Sequence, residues 1–291
     1  MFEFIHLEGN THYFESMTNT GIYKKDDGRV ILIDSGEHVR MVRSVDRYLR
    51  DNNLTLDTII CTHCHVDHIC GNRYFQDKYG CKILSTEIEK TFIAVPDLEP
   101  SFYYAGIDTD KTRNPFFLIE PSKAETVTDE NTPAGFEIIP LPGHSFDMIG
   151  IRTPDDVIFL ADSIIARKTW EEHKMPFFHS INKSIGTLEK IKALKAKYFV
   201  PSHDEPTTDI SALADYNIER LLDLKERVYR LCQEKSFDEL FKALMKDMNL
   251  NIRTEKYPTY AVMVRNILQA LVEDDKIRTV LRDDEFIWYR K

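Results

Sequence analysis

At 291 residues, with 42% hydrophobic and 30% charged side chains, the chain can bury a full core and has the composition of an ordinary globular protein. No apolar run approaches the roughly 20 residues needed to span a bilayer, and the start MFEFIHLEGN lacks a basic segment followed by a long apolar one, so a cytoplasmic protein off the membrane is expected. The net charge of −10 argues against broad binding to nucleic acid, and all of the excess lies before Ser211, since the remainder holds 15 basic and 15 acidic residues.

In chain order, TGIYKKDDGRVILIDSG predicts a hairpin turning at Asp26-Asp27-Gly28 and ending at Asp34. Val39, Val42, Val45 and Leu49 have helical spacing, and TLDTIICTH follows as a short apolar strand. GNRYFQDKYG predicts a short helix closed by Gly80, and CKILS another strand. From Glu87 to Asn131 a helix, aromatics and prolines mix without a clear pattern. FEIIPLPGHS and MIGIRTPDDVIFLADS read as strands with a turn over Thr153–Asp156, SIGTLEKIKALKAKY as a helix, and YFVPSHDEP as a strand running into a loop. Strands and helices thus alternate to residue 207, the pattern of an α/β layered domain. Residues 208–291 change character to three helices, one opened by a capping box at Ser236 and Glu239, and a terminal hairpin turning over Arg282–Glu285.

The strand before THCHVDHICGN delivers that stretch onto a loop at its carboxyl end. Extended backbone would let His63, His65 and Asp67 converge, with Cys64 and Val66 pointing away and His68 joining as the chain turns. Four such ligands within six residues exceed what one zinc draws from a single loop, so two metals are expected. Three further candidates stand at strand-to-loop transitions, where an α/β fold collects functional groups: His144 in PGHS, Asp162 in LADS and His203 in PSHDEP.

The ordered set LIDSG, THCHVDHICGN, LPGHSFDMIGI, FLADS and VPSHDEP resembles the metallo-β-lactamase superfamily of metal-dependent hydrolases over residues 1–207. The resemblance implies a four-layer αββα sandwich with a binuclear site at one edge of its two sheets. It implies that His63, His65 and His144 hold one metal, that Asp67, His68 and His203 hold the other, that Asp162 bridges them, and that Asp34 supports the ligands from behind. Departures narrow the branch. Asp162 and the missing export signal disfavour the zinc β-lactamases, and His65 stands where the flavodiiron branch has glutamate. Only 40 residues separate Asp162 from His203, too few for the domain inserted in the nuclease branch. The glyoxalase II type shares all seven ligands, but its basic glutathione-binding residues are not found in the tail.

Two ions about 3.5–4 Å apart can share a water, lower its pKa toward neutrality and present hydroxide to a carbonyl or phosphorus. Asp67 is the candidate catalytic residue, orienting that hydroxide. The expected function is hydrolysis of a small-molecule ester, thioester or lactone with two divalent ions, zinc first, iron or manganese otherwise. The alternatives are a ribonuclease or phosphodiesterase of the same superfamily, or a non-catalytic regulatory metal-binding protein. His6, His12 and His38 read as ordinary surface or core residues. His173 and His179 are candidates for a pocket wall, Trp170, Phe177 and Phe178 read as core residues ahead of substrate contacts, and Phe102, Tyr103 and Tyr104 form either a lid or a β-rich packed loop. Cys61 and Cys64 have redox spacing, but one ends a buried strand and the other interrupts two ligands, so they read as bystanders. The tail resembles the winged-helix-like appendage of some superfamily members, with pocket shaping or a homodimer as its expected role.

Overall fold

The computed structural model describes residues 2–103, 119–253 and 256–291. Strands β1 (Glu3–Glu8), β2 (Thr11–Glu15), β3 (Thr20–Lys24), β4 (Arg29–Ile33), β5 (Thr55–Ile60), β6 (Lys82–Ser85) and β7 (Glu125–Thr126) form one sheet in chain order. Pairing is antiparallel from β1 to β4 and parallel from β4 to β7. The change falls where helical crossovers begin, with α1 (Val39–Asp51) between β4 and β5 and α3 (Asn72–Tyr79) between β5 and β6. The second sheet has the order β11-β10-β9-β8, built from β8 (Glu137–Pro140), β9 (Ile149–Arg152), β10 (Val157–Ala161) and β11 (Tyr198–Pro201). Helices α6 (Arg167–His173) and α7 (Ile181–Ala193) lie in the parallel crossover from β10 to β11.

Strand periodicity produces the layers. In β4, Val30 and Leu32 pack with Met41, Val45 and Leu49 of α1, whereas Ile31 and Ile33 pack with Ile149, Ile151, Val157 and Phe159 of the opposite sheet. In β10 the same alternation sends Ile158 and Leu160 toward Leu188 and Ile191 of α7, and Val157 and Phe159 toward the first sheet. Both sheets are therefore buried on two faces, which gives the expected α–β–β–α order.

The tail comprises α8 (Ser211–Leu231), α9 (Phe237–Asp247), α10 (Tyr257–Glu273) and the hairpin β12 (Ile277–Arg282) and β13 (Glu285–Arg290). Leu221 and Leu224 of α8 and Met263, Val264 and Ile267 of α10 belong to the same apolar cluster as β10 and α7. Both bonds of the capping box at Ser236 and Glu239 are present, and Gly80 closes α3 in the left-handed conformation at φ 64°. The expected helix after Ser180 begins earlier than SIGTLEK suggested, because the Ser180 hydroxyl caps Lys183. The unpatterned stretch contains α4 (Glu87–Ala94), α5 (Leu98–Tyr103) and β7, while Tyr104 lies outside the described residues. Among the described residues, no helix is long and apolar enough to cross a membrane.

Candidate metal centre

The site forms where strands of both sheets end. β4 runs directly into Asp34, at φ 62°, Ala161 at φ 52° turns β10 into Asp162, and Gly143 at φ 140° precedes His144. Left-handed backbone at all three exits is costly for the two non-glycine residues and re-aims the chain within one residue. The strand expected through Thr62 stops at Ile60, and the stretch after it is only partly extended. His65 is extended at φ −63° and ψ 143°, but a single helical turn, α2 (Val66–Ile69), presents Asp67 and His68. The expected strand alternation thus does not extend over the motif, and helix geometry brings in Asp67 and His68.

All seven expected residues meet. One ligand atom from each of His63, His65, His144 and Asp162 lies within 4.8 Å of the others, and Asp67, His68, Asp162 and His203 form a second such group. Asp162 belongs to both, its oxygens 3.3 Å from Nε2 of His68, His144 and His203. His65 Nδ1 is 2.9 Å from His144 Nε2, and Asp67 Oδ2 is 3.6 Å from Nε2 of both His68 and His203.

The ring nitrogens that face outward decide which ones face the centre. His144 Nδ1 donates to the Phe177 carbonyl at 3.1 Å, and His203 Nδ1 to the Met17 carbonyl at 2.5 Å. His68 Nδ1 donates to Asp34 Oδ2 at 2.8 Å. Asp34 also accepts from the Thr62 N–H at 2.8 Å and its hydroxyl at 2.9 Å, leaving that hydroxyl to accept from His63 Nδ1 at 3.1 Å. Each of these four rings thus carries its proton on Nδ1 and turns Nε2 inward, the arrangement that second-layer partners impose on metal-binding histidines. Asp34 stands where the resemblance put it.

Burial, with neighbouring imidazoles, pushes His63 and His65 well below the usual histidine range, and burial lowers His144 as well. These rings are neutral and can offer lone pairs. Burial alone would also depress His68 and His203, but the Asp162 and Asp67 carboxylates outweigh it, raising His68 well above its ordinary value and His203 to about 9. Asp162 is held well below the carboxylate range because His203, His68 and His144 overcome the opposing effect of burial. Among the described residues, His63 Nε2 is buried with no hydrogen-bond partner, and His68 Nε2 and Asp162 Oδ1, buried 3.3 Å apart, attract each other without completing a hydrogen bond. One unsatisfied buried polar atom costs about 1–3 kcal/mol, and three gathered within the two ligand groups fit divalent cations.

A narrow crevice of about 10 Å³ opens beside His65, with Phe92, Phe102, Phe146, Phe177, Glu99 and His179 in its wall. His179 was an expected wall residue, Phe177 an alternative one and Phe102 a lid candidate, whereas Trp170 and Phe178 are core, as favoured for them, and His173 is exposed. His38 caps α1, and His6 and His12 pair across β1 and β2, as ordinary residues would. Cys61 and Cys64 are free, buried thiols pushed up by desolvation, unlike a redox pair. Sequence reading passed over Thr18, whose hydroxyl donates to Asp67 Oδ2 at 3.0 Å, and the buried Glu89 and Glu99. Glu89 carried a legible signal, since it shares a face of α4 with buried Ile93.

Known proteins resemble this chain in sequence and in fold. The chain is 22% identical over 287 residues to a protein named beta-lactamase-like protein 2 homolog from Drosophila melanogaster, covering 94% of this chain and 90% of that one. It is 22% identical over 237 residues to a hydroxyacylglutathione hydrolase from Pelagibacter ubique, covering 78% and 88%. A beta-lactamase domain protein from Burkholderia ambifaria shares the fold at a TM-score of 0.72 and 15% identity, over 99% of this chain and 94% of that one. The model of the family described as Metallo-beta-lactamase superfamily matches residues 13–203, a span that begins in β2 and ends on the last histidine of the cluster. With fold, cluster and family match in agreement, the chain belongs to the metallo-beta-lactamase superfamily.

Proposed function

We propose that the protein is a hydrolase of small acyl esters, thioesters or lactones that works with two divalent ions, zinc foremost. The observation that carries this reading is Asp162, shared by two complete ligand groups. His63, His65 and His144 would hold one ion, Asp67, His68 and His203 the other, and Asp162 both. Bound divalent ions at such a site acidify water and polarise a carbonyl.

The chain's own groups do the rest. Asp67, steadied by the Thr18 hydroxyl, offers a carboxylate that orients the attacking oxygen and takes up its proton. The narrow crevice beside His65 sets the aromatic side chains of Phe92, Phe102, Phe146 and Phe177 next to the first ligand group, an apolar surface against which an acyl group would pack. Thioester chemistry is supported by the relative named hydroxyacylglutathione hydrolase, at 22% identity. The test is a screen of the zinc-loaded protein against acyl thioesters, esters, lactones, phosphodiesters and single-stranded RNA. Cleavage of an acyl substrate that falls by at least about a thousandfold, roughly 4 kcal/mol, in Asp162→Ala is expected. Cleavage confined to phosphodiesters or RNA would contradict the reading.

A further inference from the structure

Two buried carboxylates stand behind the metal-ligand loops, and they divide the work. Asp34 bonds His68 of the second group directly and reaches His63 of the first only by way of Thr62. Glu89, from the first turn of α4 and fully buried, holds a different pair of loops. Its Oε2 accepts from the Cys64 N–H at 3.0 Å, at the residue between His63 and His65. Its Oε1 accepts from the Ser145 hydroxyl at 2.6 Å and the Asp147 N–H at 3.2 Å, just after His144. A further bond from the Thr86 hydroxyl to Asp147 Oδ1, 2.7 Å, fastens the start of α4 to the same loop.

We propose that Glu89 is a positioning residue for the first metal: its one carboxylate joins the loop carrying His63 and His65 to the loop carrying His144. The first group draws its three histidines from segments about 80 residues apart, so their separation depends on whatever couples the two loops. A carboxylate suits that task because it has acceptor sites only, and all three facing groups are donors. Charge-assisted bonds to backbone N–H groups are also stronger than neutral ones, so the coupling is stiff. His65 Nδ1 and His144 Nε2 stand 2.9 Å apart, one from each of the two loops that Glu89 joins.

This inference rests on the metal-binding reading above, and the experiment separates the two. Zinc affinity is measured by competition with a chromophoric chelator in two backgrounds, His203→Ala, which leaves the first group complete, and His144→Ala, which leaves a histidine missing from it. Glu89→Gln keeps the size but replaces one acceptor by an NH2 that cannot receive a backbone N–H. In the His203→Ala background it is expected to weaken zinc by roughly 10–100-fold, as loss of an outer-layer partner does, and in the His144→Ala background to leave the second group's affinity unchanged. Ser145→Ala, a milder change that keeps the fold safe, should weaken the first group by roughly two- to tenfold. It should add little in the presence of Glu89→Gln.

Unchanged affinity in both backgrounds would overturn the inference alone. So would an equal loss in both with a lower Tm of the metal-free protein, which would make Glu89 a general structural residue. A wild-type chain that takes up no zinc would overturn the reading of the site and this inference with it.

Discussion

Asp162 lies 3.3 Å from imidazoles that arrive from three separate strand ends, and the charge balance around it follows from that position. The metal-free site holds depressed and raised histidines side by side, which predicts opposed effects of pH on stability. His203 is raised from 6.5 to about 9, so its contribution is fully present below pH 6.5 and is lost as pH rises through about 9. His63, His65 and His144 are depressed, so the unfolded chain binds their protons more readily and stability falls as pH drops below 6.5. The metal-free Tm should therefore pass through a maximum near neutrality and fall by several degrees toward pH 9. Thermal melts across pH 5–9 check this, and a Tm that climbs steadily to pH 9 would contradict it. Among single residues the ligands were legible, because three histidines and an aspartate within six residues, with His144, Asp162 and His203 at further strand ends, are more than isolated structural histidines supply. The partners behind them were not: Thr18 and Glu89 are common residues far away in sequence, and only the fold brings them to Asp67 and to the Cys64 N–H.

Elements matter here mostly at their ends. Gly143 shows why the turn in PGHS needs glycine: a Cβ there would lie 2.6 Å from the backbone N and Cα of Ser184, at a φ of 140° that other residues rarely adopt. Gly143→Ala is expected to destabilise by about 2 kcal/mol or more and to weaken metal binding by displacing His144. Gly186→Ala on the same helix as Ser184 meets nothing within 4 Å and should be neutral or slightly stabilising. Denaturant titration of the two variants makes the comparison. Hydrophobic periodicity made α1, α3 and the strands readable, and the capping box announced α9. The turn Val66–Ile69 escaped notice because four residues are too few to display a helical period. It is nonetheless the reason that Asp67 and His68 face the second group.

Across the whole molecule, one apolar cluster runs from β10 and α7 through α8 and α10, so the tail supplies core to the second sheet. Removing residues 208–291 would strip α7 of the helices that pack on it, and with them Leu221, Leu224, Met263 and Ile267, all now almost fully buried in the shared cluster. At about 1.5–3 kcal/mol for each such side chain, the loss approaches the whole stability of a typical domain. The truncated chain is expected to aggregate or to lack a cooperative melt, and a soluble fragment with the full-length Tm would contradict this. The layered α/β order was legible because strands and helices alternate with clean periods. The depth of the tail's attachment was not, since an amphipathic helix reveals that it is covered without revealing by what.

Everything proposed for this site depends on seven residues from four strand ends binding two ions through a shared Asp162, and metal content is the property that decides it. The purified protein, equilibrated with zinc and freed of excess, is assayed by elemental analysis beside Asp162→Ala. Close to two zinc ions per wild-type chain are expected, with a clear loss in the variant. A wild-type chain that retains none, or a variant that retains as much as the wild type, would refute the two-ion site.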